Sequence, residues 1–293
     1  MMESHPRHWL GAVLFIVLTL QGPATIAAET ADEDNNVLMG AGAHFAWILF
    51  DAIQADLEAK VGRKTILFGK NSMLGVGCKA GIKAAKQGTE NRETFGFVCC
   101  PLSDEEIEAE GLIVYPLAKE PILILGHEDN PVDDLSTDQA RAIFRGEIVN
   151  WNTVGGAARP IVVVTRLHCK KRPGHWKTIL PSQQEFRQER LNVKSAATMV
   201  QRVNDFSSAI GHTGATWEFK PEQKIKIFTI NGAKPTAENL ANGKYPFFRQ
   251  LSAITNLHPS EDVVKLIKEA QTGPAFRRVA GKYGLLPLNP LHP

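Results

Sequence analysis

The chain of 293 residues has little cysteine and almost no charge imbalance. Its 33 Lys and Arg meet 31 Asp and Glu, and a formal net charge of +2 argues against nucleic acid as the main partner. No fixed-period repeat and no low-complexity tract is present, which excludes solenoid and fibrous architectures. There is no Ser-His-Asp pattern, no phosphate-binding P-loop and no nucleotide fingerprint, so no enzyme of those classes is expected. The stretch "HCKKRPGH" is not C-x-x-C-H, which removes covalent haem attachment. After residue 28 no run is apolar enough to span a bilayer.

The one long apolar run stands near the start. "WLGAVLFIVLTL" follows Arg7 and precedes the small residues "QGPATIAA", a pattern suited to cleavage after Ala27 or Ala28. Residues 1–28 are therefore expected to be a signal peptide, delivering a soluble mature chain to the periplasm. That chain of about 265 residues is too long for most single cores and fits two domains.

Strand and helix patterns alternate along it. "VLMGAGAHF" and "KTILFG" read as strands and "AWILFDAIQADLEAKVG" as one helix between them. "CKAGIKAAKQG" reads as a short helix closed by Gly88, and "TFGFVCC" as a strand. Ser103 with Glu106, and Ser136 with Gln139, have the spacing of capping boxes, in which each side chain satisfies a free amide at the helix start. "LIVYPLAKEPILILGH" reads as a buried strand region interrupted by prolines, and "RPIVVVTR" as a buried strand. "HWKTILPSQQEF" reads as helical until Pro181, and "SSAIGHTGATW" as a strand and turn. Ser260 caps a last amphipathic helix. The alternation predicts an α/β fold with mostly parallel sheets, in which ligands bind at the carboxyl ends of strands.

The four cysteines all sit beside turn or helix-start signals: Cys78 in "GVGCKAGIK", Cys99 and Cys100 in "FVCCPLSDEE", and Cys169 in "TRLHCKKRPGHW". In an oxidising compartment an even count permits two disulfides with three connectivities. The pairs open to them include Cys78 with Cys99 or Cys100, with Cys169 free or joined to the remaining cysteine. Thiolates are equally good ligands for soft ions, and both readings stay open on the residues alone.

Seven stretches, in order, resemble the periplasmic phosphate-binding proteins of ABC importers: "GAGAHF", "GVGCKAGIKAA", "PLSDEE", "LSTDQARAIFRGEIVNWNTVGG", "RPIVVVTR", "SAIGHTG" and "NGAKPTAENLANGKYPFFRQL". The resemblance implies the two-lobed type II periplasmic-binding fold with a ligand cleft between lobes. It places residues 29–117 and 230–293 in lobe 1 and residues 118–229 in lobe 2. It further implies a monomer that serves an ABC permease or a membrane sensor kinase, not an enzyme.

The departures from the family's pattern fall where that family grips phosphate. Cys78 stands among the glycines of the first ligand loop, Cys99 and Cys100 replace small or acidic residues, His44 replaces a hydroxyl residue, and His212 replaces a tyrosine. Arg166 matches the family's arginine, while His168, Cys169 and His175 occupy the loop that follows it. Thiols are weak donors and poor acceptors, so they cradle phosphate badly. The expected ligand set is thus Cys78, Cys99, Cys100, Arg166, Cys169, His44, His168, His175 and His212, with Cys78, Cys100 and Cys169 as ligands of a soft ion such as copper(I), zinc or arsenite. The alternatives are phosphate or another oxyanion on Arg166 with the cysteines oxidised, and a thiol redox enzyme.

Overall fold

A computed structural model describes residues 37–68, 76–89, 93–169 and 174–288. The expected signal peptide, residues 1–28, lies outside them. Among the described residues no helix is long and apolar enough to cross a membrane.

In chain order the elements are β1 (Val37–Gly42), α1 (Phe45–Leu49), α2 (Gln54–Val61), β2 (Lys64–Phe68), α3 (Cys78–Lys86), β3 (Thr94–Val98), α4 (Asp104–Glu110), β4 (Leu112–His127), β5 (Asp134–Leu135) and α5 (Thr137–Arg145). Then come β6 (Val162–Thr165), β7 (Leu191–Asn192), α6 (Ala196–Asp205), β8 (Ala209–Gly214), β9 (Ile225–Ile227), β10 (Thr229–Ile230), α7 (Ala237–Ala241), β11 (Phe248–Asn256), α8 (Glu261–Thr272), α9 (Pro274–Lys282) and β12 (Leu286–Pro287). The main sheet runs β2-β1-β3-β11-β4-β8-β6-β7. It is parallel towards both edges and antiparallel in the middle, where β4 and β11 pair with each other and with their neighbours β8 and β3.

The middle pair divides the hydrophobic interior. One core gathers Leu38, Phe45, Phe50, Phe95, Phe97, Leu117 and Ala118 with Leu251, Ile254, Leu266 and Phe276. Beyond Ala118 the side chains of β4 alternate between two further clusters, because successive strand residues point to opposite faces. Ile122 and Ile124 join Phe144, Trp151, Ile210 and Phe228, whereas Leu123 and Leu125 join Met199, Val203 and Ala209. Ile230, Leu240, Tyr245 and Phe247 also pack in the cluster of Ile122 and Ile124. The cores change hands between Phe247 and Leu251, along β11 itself.

Both capping boxes form as spaced, with Ser103 and Ser136 accepting from the amides of Glu106 and Gln139. The proline-containing stretch 112–127 is one continuous strand rather than an interrupted one. The helix expected over 46–62 is broken by a 3-10 turn at Asp51–Ile53. That bend lets Phe45, Leu49, Phe50 and Ile53 all bury in one core. The "HWKTILPSQQEF" stretch forms two 3-10 turns, His175–Thr178 and Gln183–Glu185, not a helix.

Candidate functional site

Three turns at strand ends converge between the two halves. The first is the start of α3. Gly42, Gly81 and Gly96 stack there with no side chain between α3 and strands β1 and β3. A Cβ on Gly81 would lie 2.4 Å from the Phe97 carbonyl oxygen, and one on Gly96 would lie 2.0 Å from the Gly81 carbonyl oxygen. This contact draws Cys78, the first residue of α3, against the turn that follows β3. The Cys78 and Cys99 sulfurs are 3.6 Å apart, and the Cys99 amide donates to the Cys78 sulfur at 3.3 Å.

The third turn follows β6 from the other half. Cys169 has φ +58°, a left-handed conformation that is uncommon for a residue with a side chain. Its sulfur lies 3.2 Å from that of Cys100 and packs against the first core. His168 faces the same thiol, with Nε2 4.0 Å from the Cys100 sulfur. The other ring nitrogen, Nδ1, meets the Arg166 carbonyl oxygen at 3.2 Å. A carbonyl oxygen only accepts, so Nδ1 carries the hydrogen of that bond and Nε2 is the ring nitrogen that faces the sulfurs.

All four cysteines are free thiols. Among the described residues, two sets bring their ligand atoms within 4.8 Å of one another: Cys78, Cys99 and Cys100, and Cys100, His168 and Cys169. Cys100, 1% exposed, is common to both. The trio expected from sequence, Cys78 with Cys100 and Cys169, is not one of these sets: Cys78 falls in the first and Cys169 in the second, and Cys100 is what they share.

Charge is shared unequally in the sulfur cluster. Hydrogen bonds from Cys100 and Cys99 hold Cys78 well below the ordinary thiol range. A hydrogen bond from Cys100, with help from His168, brings Cys169 down to about 5 against the opposing effect of burial. The donor in these bonds shifts the other way: bonds to Cys169, Cys78 and Cys99, then burial, raise Cys100. For Cys99 a bond from Cys100 pulls the value down, but its bond to Cys78, its burial and the Cys78 charge outweigh that. The bonding thus favours ionisation at Cys78 and Cys169 and opposes it at Cys99 and Cys100.

Behind His168 the imidazoles continue inward. The His168 and His175 ring centroids are 4.5 Å apart, and those of His175 and His212 are 5.1 Å apart. His175 and His212 were expected at the rim of the cleft, but they are 5% and 1% exposed. Burial, then neighbouring positive charge, keeps His175 well below its ordinary value and His212 at about 3. Among the described residues neither His212 nitrogen has a hydrogen-bond partner, and His175 Nε2 has none. His44 packs its ring against Trp47 at 4.8 Å and Trp217 at 6.0 Å, and burial followed by the Arg249 charge lowers its pKa.

Two charged residues of the site were not anticipated. Glu120 on β4 and Arg249 on β11 are direct cross-strand partners and form an ion pair, with Glu120 fully buried. Glu120 also accepts from the Thr216 amide at 2.8 Å and the Thr216 hydroxyl at 2.6 Å. Arg249 reaches His175 Nδ1 at 3.2 Å; a guanidinium only donates, so His175 carries its hydrogen on the unpartnered Nε2. Arg166, by contrast, has no carboxylate partner among the described residues and donates from Nε to the Lys194 carbonyl oxygen at 3.3 Å. Burial and the nearby Arg249 charge both act to lower its pKa.

The site therefore offers a guanidinium with no carboxylate partner among the described residues, four cysteine sulfurs and an imidazole nitrogen that faces them. Phosphate-binding proteins PstS are among the proteins this chain resembles. The one from Bacillus subtilis is 29% identical over 145 residues, 49% of this chain and 47% of that protein. The one from Pseudomonas aeruginosa is 25% identical over 228 residues, covering 68% of this chain and 69% of that protein. The chain thus spans about half of the first relative's length and somewhat over two thirds of the second's. Among solved structures, a candidate phosphate ABC transporter substrate-binding protein from Clostridium perfringens, with bound phosphate, superposes at a TM-score of 0.70 and 22% identity, over 87% of this chain and 100% of that one. An ABC-type phosphate transport receptor from Vibrio cholerae gives 0.62 and 21%, over 85% and 99%. These structures share the α/β fold, as the order of sequence stretches implied. A model of the PBP superfamily domain matches residues 27–273, most of the chain, and this protein belongs to the PBP superfamily.

Proposed function

We propose that this chain is an exported solute-binding protein that closes on a small inorganic ligand and passes it to an ABC permease. The observation that carries the reading is Arg166: a guanidinium just past the end of β6, beside the cysteine cluster and without a carboxylate partner among the described residues, in a PBP-superfamily chain. The division into lobes would run through residues 118–121 of β4 and 247–251 of β11, where the cores change hands.

For the ligand, the relatives favour phosphate or a related oxyanion, since the similar proteins from Bacillus subtilis, Borreliella burgdorferi and Pseudomonas aeruginosa are phosphate-binding proteins. Arg166 is then the cation that meets it, by charge-assisted hydrogen bonds. One observation favours a second ligand class. Sulfur and imidazole atoms of Cys100, His168 and Cys169 lie within 4.8 Å of one another, and such soft donors suit a soft cation or metalloid better than a phosphate dianion.

Calorimetry on the reduced protein separates them. Under the oxyanion reading inorganic phosphate binds, and Arg166→Ala weakens it by roughly tenfold to a hundredfold, the worth of a charged hydrogen bond. Under the soft-ion reading copper(I), zinc or arsenite binds instead, and Cys169→Ser removes that binding while Arg166→Ala leaves it. A protein that takes up none of the four solutes refutes both ligand assignments.

A further inference from the structure

We propose that Cys100 and Cys169 form a redox latch, a dithiol whose oxidation fastens the two halves of the molecule together across the cleft. The proposal rests on the reading of the chain as an exported two-lobed binding protein, and it is independent of which ligand that protein carries.

Three observations carry it. The two sulfurs are already 3.2 Å apart as free thiols. Closing that gap to a bond of about 2.05 Å takes little more than side-chain rotation. The two residues also reach the site along strands of different cores. Cys100 is buried in the first, directly after β3, while Cys169, which itself packs against the first core, is carried there by β6, whose Val163 packs in the second. A bond between them therefore crosses the division between halves. The other pair gives an internal control: Cys78 and Cys99, 3.6 Å apart, both belong to the first half, so a bond between them leaves the halves free.

The chemistry is ordinary thiol–disulfide exchange with a disulfide oxidant, either a protein disulfide or a small-molecule one. One cysteine, as its thiolate, attacks a sulfur of the oxidant. A mixed disulfide forms and one oxidant thiolate leaves. The second cysteine gives up its proton and attacks the mixed disulfide, which forms the Cys100–Cys169 bond and expels the other oxidant thiolate. Two protein thiols lose two electrons and two protons, and the oxidant is reduced to two thiols. The oxidised pair no longer offers thiolates, so the set with His168 is lost as an ion site in the same step.

The test uses the full mature chain, purified reduced and then equilibrated with oxidised glutathione. Peptide mapping after alkylation should find Cys100 joined to Cys169. Small-angle scattering should show a smaller radius of gyration for the oxidised protein than for the reduced one, restored by dithiothreitol. Cys169→Ser, and Cys169→Ala as a second variant, should keep the reduced value under oxidation even where Cys78 and Cys99 have joined. Cys100 found joined to Cys78 or Cys99, or four thiols still titratable, overturns the latch and leaves the binding-protein reading standing. A Cys100–Cys169 bond that leaves the scattering unchanged overturns the latch as well, and with it the reading that the two halves hinge.

Discussion

Glu120 and Arg249 face each other across β4 and β11, at the place where both strands pass from one core to the other, and they form an ion pair there. Glu120 is fully buried and takes two further hydrogen bonds from Thr216. Removing one partner leaves an uncompensated buried charge, at a cost of about 3–5 kcal/mol. Arg249→Met should lower the free energy of unfolding by about that much in urea denaturation. The double variant Arg249→Met, Glu120→Gln should recover much of the loss. Equal losses in single and double variants would show that the pair contributes shape rather than charge compensation.

Acid should weaken the fold through His212. Burial holds its folded pKa at about 3, against about 6.5 for an unfolded histidine. The folded form keeps the ring neutral while the unfolded form takes up a proton, so its stabilising effect is full above pH 6.5 and declines as pH falls below that. Linkage gives a loss of about 2 kcal/mol by pH 5 from this residue alone. His212→Phe should flatten the dependence of unfolding free energy between pH 7 and pH 5 by about that amount. His175, buried beside it and lowered in the same direction, adds to the slope that remains. A variant with the parent's slope would mean that His212 is protonated equally in both states.

Alkylation should single out Cys169. With its pKa near 5 it is almost entirely thiolate at pH 6.5, whereas an ordinary thiol is about 1% ionised there. Thiolate fraction favours it by roughly 100-fold, but nucleophilicity falls with pKa and returns roughly 25- to 55-fold of that. The net expectation is modification by iodoacetamide roughly two- to fourfold faster than a free model thiol. Cys100, raised and 1% exposed, should stay unmodified. Mass spectrometry of the quenched time course reads both. Labelling of Cys100 before Cys169 would reverse the charge assignment.

Gly81→Ala should displace the helix that carries Cys78. The new methyl would lie 2.4 Å from the Phe97 carbonyl oxygen, far inside contact distance, with backbone rather than a yielding side chain on the other side. Overpacking of this kind costs about 1–3 kcal/mol. The Cys78–Cys99 pair should also form a disulfide less readily under glutathione, because α3 must lift from β3. Unchanged stability and unchanged pairing would show that the helix can shift without penalty.

What the sequence could reveal follows from the range of each interaction. Ser103 with Glu106 and Ser136 with Gln139 were readable because a capping box is complete within four residues. The gathering of Cys78, Cys99, Cys100 and Cys169 was readable because the order of strand-end turns places them together. The bend at Asp51–Ile53 was not, because apolar spacing continues through it and only the shared core demands it. His175 and His212 looked like rim residues because an imidazole carries no sequence mark of burial. Glu120 and Arg249 are 129 residues apart, and only the register of β4 on β11 makes them partners. Glu120 lies in the middle of β4 and Arg249 at the second position of β11, so neither strand marks the other's charge before their pairing is known.

The contact of Gly42, Gly81 and Gly96 fixes the sulfur of Cys78 near that of Cys99 through backbone alone. Side chains elsewhere in the first core, such as Leu38 or Ile82, can therefore be exchanged for others of similar volume without re-aiming the thiols. The glycines themselves allow no such exchange. In a lineage of this chain the interior could drift widely while the spacing of the first sulfur pair stayed constant, with three residues lacking side chains acting as its ruler.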